Sequence, residues 1–163
     1  MARRVCYERL GGFRPELPHT QDNEMWMRLL LFYDVACVGK PLVTWRQHST
    51  SASSEWGLDI AWLEEHFLTT RILFKSYPDR IPDCENLKRQ VNEKFVAQAL
   101  SRGIRAFGNE NFDLADQYLM WARKIERNLI ARKDYWRLEL RIRLGSQGYN
   151  LCRNMSKRIK ELI

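Results

Sequence analysis

Two adjacent glycines, a lone aspartate and an Arg-x-His triplet follow one another in the first third of the chain, and each could take part in chemistry. Gly11 and Gly12 could let the backbone pass close to a bound molecule, because glycine adopts conformations that are closed to other residues. Asp22 could accept a proton as a general base. Arg46 offers a forked donor for phosphate, and His48 can bind phosphate or a divalent metal. The order and spacing of these pieces carry the functional prediction, rather than any one of them.

The residues alone leave two roles open for Asp22. It precedes an apolar-periodic stretch, where an aspartate commonly caps the N-terminus of a helix, so capping and catalysis both fit. On the same predicted helix, Glu24 and Arg28 stand one turn apart, which indicates an ion pair and a structural Arg28. The core residues expected in this region are Phe13, Met25, Leu29 and Leu30.

Together these pieces resemble family 2 glycosyltransferases. The matching parts are Gly11-Gly12-Phe13, the helix start at Gln21-Asp22, and the apolar run from Pro41 that ends in Arg46-Gln47-His48. The resemblance implies a GT-A domain in which Asp22 is the base that deprotonates the acceptor hydroxyl. It places Arg46 and His48 near the donor diphosphate. It also implies a divalent metal, Mn or Mg, for which His48 is the ligand candidate in this chain.

Trp26 is the predicted platform for an acceptor sugar, and the turn at Gly11-Gly12 is expected to approach that sugar. The family's Asp-x-Asp metal motif and a glycine-rich phosphate loop are both absent from the sequence. We therefore expect the carboxyl-terminal, acceptor-side portion of an inverting glycosyltransferase that is inactive alone. The whole enzyme would transfer a sugar from a nucleotide-diphosphate donor to a glycan, lipid-linked or protein acceptor.

The predicted fold is mostly α with a small α/β part. Residues 1–54 are expected to be the acceptor-side end of a GT-A domain, and residues 55–163 a helical accessory region. Short strands are predicted at Val35–Val38 and Leu42–Trp45. Helices are predicted at Val5–Leu10, Asn23–Tyr33, Trp56–Tyr77, Cys84–Phe107 and Phe112–Asn128, with further helix after Lys133.

A helical hairpin of tetratricopeptide type is predicted at about residues 95–128. Gly103, Ala115 and Ala122 have the spacing that lets two antiparallel helices approach closely. The pattern fits an ordinary helical hairpin and also a peptide-binding groove, and both interpretations stay open.

Positive charge is concentrated at the carboxyl-terminal end. Twelve of the 27 Lys and Arg residues lie after residue 119, against four of the 20 acidic residues. The last stretch, from Leu151, predicts a basic amphipathic helix that suits an anionic membrane surface or an acidic protein, or one that docks on the body with a solvated basic face. Nucleic acid is an unlikely partner, because no motif of a known reader is present.

The competing function is a helical protein- or membrane-interaction module formed by residues 55–163. Four widely spaced cysteines form no C-x-x-C pair, which indicates a reduced setting with buried thiols. The expected location is cytoplasmic, or peripheral at a membrane surface.

Overall fold

The computed structural model of the chain describes residues 2–44, 46 and 59–161. These residues are mostly helical, with no β-strand among them, which confirms the prediction of a mostly α chain. They divide into two compact units, Met1–Lys88 and Arg89–Ile163. The predicted boundary between residues 54 and 55 lies outside the described residues.

The first unit is built around two short helices and one long one. They are α1 (Arg4–Leu10), α2 (Gln21–Leu30) and α3 (Ile60–Ser76), followed by a 3-10 turn at Pro78–Arg80. Cys6, Met25 and Leu29 form a core between α1 and α2. The hydroxyls of Thr20 and Thr69 lie 2.7 Å apart, so a buried hydrogen bond joins the start of α2 to α3.

The two predicted strands are wrong as far as the structure describes them. Residues 35–44 have no regular secondary structure, and Trp45 lies outside the description. The β-branched composition that favoured strands needs partner strands for its backbone hydrogen bonds, and the described residues supply none. As a result, Val35 and Val43 are 67% and 86% exposed. The small α/β part is therefore not found in the described part of the chain.

Details of α2 also differ from the sequence-based prediction. Thr20 is its N-cap residue, and Asp22 lies in the first turn, so Asp22 is not the cap. Met25 and Leu29 are buried as predicted, whereas Leu30 and Phe13 are each 55% exposed and belong to no core. The prediction placed Leu30 on the buried face of α2, but this helix is buried only along a narrow stripe that does not include Leu30.

The second unit contains most of α4 (Cys84–Gly108), α5 (Phe112–Ile125) and α6 (Lys133–Glu161). The side chain of Asn111 caps α5 by accepting a hydrogen bond of 3.2 Å from the Leu114 amide. Helix α6 confirms the helix predicted after Lys133, but it is interrupted at Gly145, where φ is 65° and ψ is 178°.

Helices α4 and α5 approach closely at Gly103, and the tetratricopeptide type of their hairpin stays a prediction. A Cβ atom built at Gly103 would lie 3.2 Å from the Cβ of Tyr118 and 2.6 Å from Cδ2 of Leu138. Ala115 and Ala122 on α5 are fully buried. The helices can pack this tightly because the facing residues are small. A peptide-binding groove on this hairpin stays a prediction.

Two observations bear on the cellular setting. Cys6 is buried as expected, but Cys37 is exposed, so the expectation of buried thiols fails at that position. Among the described residues, no helix combines the length and apolar character that crossing a membrane requires.

Candidate functional site

The turn at Gly11-Gly12 is held in place by Arg28. This side chain is 3% exposed, and it donates to the Gly12 carbonyl at 2.7 Å and to the Gly11 carbonyl at 3.2 Å. It also donates to the carbonyl of Leu10, the last residue of α1. The carbonyls at a helix C-terminus carry partial negative charge, which a cation satisfies well. Arg28 thus fixes the glycine turn against α2.

A buried carboxylate in turn orients Arg28. Glu24 is fully buried and accepts from Nε of Arg28 at 3.0 Å and from its Nη2 at 2.9 Å. Nε of Arg14 donates to the same carboxylate at 2.9 Å, and this hydrogen bond is the first cause that raises the pKa of Arg14. The predicted Glu24–Arg28 pair is confirmed. Arg14 was missed, because nothing in the sequence links a loop arginine to a glutamate ten residues away.

Asp22 presents its carboxylate to solvent from the first turn of α2. One oxygen, Oδ1, accepts from the backbone amide of Asn23 at 2.7 Å, and the second has no hydrogen-bond partner among the described residues. The N-terminal end of a helix favours negative charge. A carboxylate in this position can accept a proton from a hydroxyl that is bound against α2.

Trp26 lies one turn after Asp22, about 6 Å along the axis of α2, and lines a cavity of about 670 Å³ in the first unit. The cavity is formed by α1, α2 and the segment that follows α2. Apart from Trp26, its walls are Ala2, Arg3, Val5, Cys6, Leu29, Leu30, Tyr33, Asp34, Val35 and Ala36. The wall is mainly apolar with one basic and one acidic residue, and 42% of Trp26 remains exposed. An aromatic ring in such a wall can pack against the apolar face of a sugar.

The start of α2 is fixed by a side chain from α3. Oε1 of Glu65 accepts from the amides of His19 at 2.7 Å and Thr20 at 2.8 Å, and from the Thr20 hydroxyl at 3.1 Å. These groups would otherwise need another acceptor at the helix N-terminus. Glu65 therefore positions the turn that carries Asp22. Sequence reasoning missed it because the two segments are about 45 residues apart and no local pattern connects them.

The structure attaches part of the predicted site to one helix, but Arg28, which binds the glycine turn, lies on the opposite side of α2 from Trp26. Gly11 and Gly12 are bound to α2, which also carries Asp22 and Trp26. Arg46 is exposed and in no regular secondary structure. Of the predicted site residues that the structure describes, only Trp26 lines the cavity; Gly11, Gly12, Asp22 and Arg46 do not. His48 lies outside the described residues, so both its phosphate and its metal role stay predictions.

The described residues do not assemble a metal site. No group of three or more His, Cys, Asp or Glu side chains among them could hold a metal ion. The Mn or Mg implied by the resemblance therefore has no set of ligands in the described part of the chain.

Comparison with protein-family models, with curated proteins and with solved structures found no match for this chain.

Proposed function

We propose that the first unit is the acceptor-side end of an inverting glycosyltransferase. The observation that carries this proposal is the arrangement on α2, where the exposed Asp22 carboxylate stands one turn before a tryptophan that lines a cavity. The glycine turn is bound to the same helix by Arg28. The likeness of these residues to family 2 glycosyltransferases supports the same function.

In this proposal Asp22 removes the proton of an acceptor hydroxyl. The hydroxyl oxygen attacks the anomeric carbon of a nucleotide-sugar as the bond to the diphosphate oxygen breaks, and the configuration at that carbon is inverted. The proton ends on the Asp22 carboxylate, and the electron pair of the broken bond leaves with the diphosphate. Trp26 holds the acceptor sugar against the cavity wall. The acceptor can be a glycan, a lipid-linked acceptor or a protein.

The donor-binding part of the enzyme is proposed to lie outside these 163 residues. Apolar side chains between residues 35 and 43 support this, because Val35, Val38, Leu42 and Val43 are 67%, 62%, 72% and 86% exposed. Several exposed apolar side chains in one short segment fit a docking site. The occupant we propose is the β-sheet of a nucleotide-binding half, since these residues have the composition of strands.

Sugar transfer by a fusion protein tests this function. The chain would be joined, ahead of Arg3, to the nucleotide-binding half of a family 2 glycosyltransferase. We expect transfer or hydrolysis of the nucleotide-sugar by the fusion and none by the chain alone. Asp22→Asn should abolish the activity, because an amide accepts no proton. Asp113→Asn is the matched control, since Asp113 is also an exposed aspartate in the first turn of a helix, α5.

Each half of the proposal can fail separately. A fusion in which Asp22→Asn retains full activity would remove Asp22 from the chemistry. Turnover by the chain alone that depends on Asp22 would keep the reaction but refute the missing donor half.

The competing function, a protein- or membrane-interaction module, is favoured by one observation in the second unit. Helix α6 exposes Trp136, Leu140 and Leu144 among basic residues. An interaction module predicts partner binding that survives Asp22→Asn. The observations behind the two functions lie in different units, so one chain could have both.

A further inference from the structure

One side of the first half of α6 exposes large apolar side chains. Trp136, Leu140 and Leu144 are 43%, 50% and 45% exposed. Residues four apart lie along the same side of a helix, so the three form a continuous stripe about 12 Å long. The other side of α6 is anchored by Leu138, which is fully buried near Gly103. The stripe thus lies on a helix whose opposite side is packed within the second unit.

The exposed charges beside this stripe are all basic. Lys133, Arg137 and Arg143 are exposed on the same half of α6. Lys133 and Arg137 stand one turn apart and next to Trp136 in the helix. Among the described side chains of α6, no exposed residue is acidic. We name the surface formed by Lys133, Trp136, Arg137, Leu140 and Leu144 the α6 face.

The two carboxylates in this half of the helix are turned away from the α6 face. Glu139 is 4% exposed and pairs with Arg143 at 2.6 Å and with Arg123. Asp134 pairs with Arg132 at 3.0 Å. Both carboxylates are paired with arginines, so neither repels an anion that approaches Lys133 or Arg137.

We propose that the α6 face binds an anionic membrane surface, with the first half of α6 lying parallel to it. A helix that combines basic residues with tryptophan and leucine suits the boundary between headgroups and acyl chains. The indole Nε1 of Trp136 donates to the Ile130 carbonyl at 2.8 Å, so the polar end of the ring is satisfied and its apolar part can enter the membrane. Ile130 itself is 69% exposed and extends the apolar surface.

A membrane fits this surface better than an acidic protein. The apolar side chains form a convex stripe along a helix, and a lipid surface needs no complementary groove to cover it. Beyond the interruption at Gly145 the backbone is helical again as far as Glu161, and the sequence of that part contains Arg153, Lys157, Arg158 and Lys160. Of the amphipathic pattern predicted from Leu151 onward, only Leu151 has a described side chain, and it is 65% exposed.

Co-sedimentation with lipid vesicles tests the proposal on the full chain. We expect binding to phosphatidylcholine vesicles that contain roughly one-third phosphatidylserine, weakened by added salt, and little binding to pure phosphatidylcholine. Lys133→Gln with Arg137→Gln should weaken binding about twenty-five-fold, because each basic residue near such a surface contributes roughly fivefold. Leu140→Gln with Leu144→Gln should also weaken it, through the loss of inserted apolar surface.

Matched controls carry the same changes on exposed positions of the first unit. They are Lys40→Gln with Lys75→Gln for charge, and Leu68→Gln with Leu87→Gln for apolar surface. We expect both controls to bind like the parent chain. The proposal would be overturned if the chain did not bind the anionic vesicles. It would also be overturned if the control variants lost as much vesicle binding as the α6 variants. Equal binding to both kinds of vesicle would remove the role of charge and overturn it too.

Discussion

Arg28 donates a hydrogen bond of 2.7 Å to the carbonyl oxygen of Gly12, so the helix that carries Asp22 and Trp26 is tied to the glycine turn by a buried side chain. The two pieces that the family resemblance picks out are therefore one structural element. A substitution of Arg28 should therefore disturb the proposed acceptor site indirectly, because Arg28 itself is not proposed to contact a substrate.

Arg28→Ala should lower the free energy of unfolding by about 3 kcal/mol, because it leaves the buried Glu24 with one arginine fewer and three carbonyls without their donor. Chemical denaturation monitored by circular dichroism measures this. Arg4→Ala is the matched control, since Arg4 also pairs with a glutamate one turn away, Glu8, but the pair is exposed. That variant should change stability little. Equal effects of the two variants would mean that the buried cluster contributes nothing beyond a surface pair.

Gly11→Ala should destabilise the first unit by about 1–3 kcal/mol, because Gly11 has a φ of 84° and a ψ of 168°, a conformation that is essentially restricted to glycine. At Gly12 a Cβ would meet nothing within 4 Å, so Gly12→Ala should stay within about 0.5 kcal/mol of the parent chain. Thermal or urea unfolding compares the two. If Gly12→Ala proved the more harmful substitution, the described geometry of the turn would be wrong.

Glu65→Ala should loosen the start of α2. The amides of His19 and Thr20 lose their acceptor, with a cost of about 1–3 kcal/mol. Hydrogen exchange followed by nuclear magnetic resonance should show faster exchange at these two amides than at the rest of α2. Glu64→Ala changes the exposed neighbour and should leave both rates unaltered. Unchanged exchange in Glu65→Ala would show that α3 does not hold this helix end.

Sequence patterns predicted the helices well where apolar periodicity and turn residues agree. Helix α5 was placed to within a few residues because Asn111 caps it, and the close packing at Gly103 followed from the spacing of small residues. The strand at Val35–Val38 failed because composition reports β-propensity but not the presence of a partner strand. The role of Asp22 as a cap failed by two residues, since Thr20 is the N-cap residue. The Thr20 hydroxyl donates to Glu65 and shares a second hydrogen bond with the Thr69 hydroxyl.

The candidate site was predictable only in its local parts. The Glu24–Arg28 pair follows from a spacing of one helical turn. Arg14 and Glu65 reach α2 from a loop and from another helix, and no period in the sequence signals either contact. The cavity beside Trp26 depends on how α1, α2 and the segment after α2 pack together, which a one-dimensional pattern does not contain.

Gly103→Ala should destabilise the second unit by about 1–3 kcal/mol, because the added methyl would meet Leu138 at 2.6 Å and Tyr118 at 3.2 Å. Gly108→Ala is the control in the same helix, where a Cβ would meet nothing within 4 Å. It should be neutral or slightly stabilising, since alanine restricts the unfolded chain. Denaturant unfolding of both variants checks this, and a neutral Gly103→Ala would contradict the close helix approach.

The proposed acceptor site is tested most directly by the indole signals of the six tryptophans in ¹H–¹⁵N spectra of the chain during titration with a panel of glycans. Trp26→Phe assigns one signal by its loss. We predict that a glycan shifts the Trp26 signal in a saturable manner while the signals of tryptophans outside the site stay in place. Binding should persist in Asp22→Asn, whose change affects the chemistry, and should be lost in Trp26→Ala. A Trp26 signal that no glycan moves, or glycan binding that is unaffected by Trp26→Ala, would contradict an acceptor site on α2.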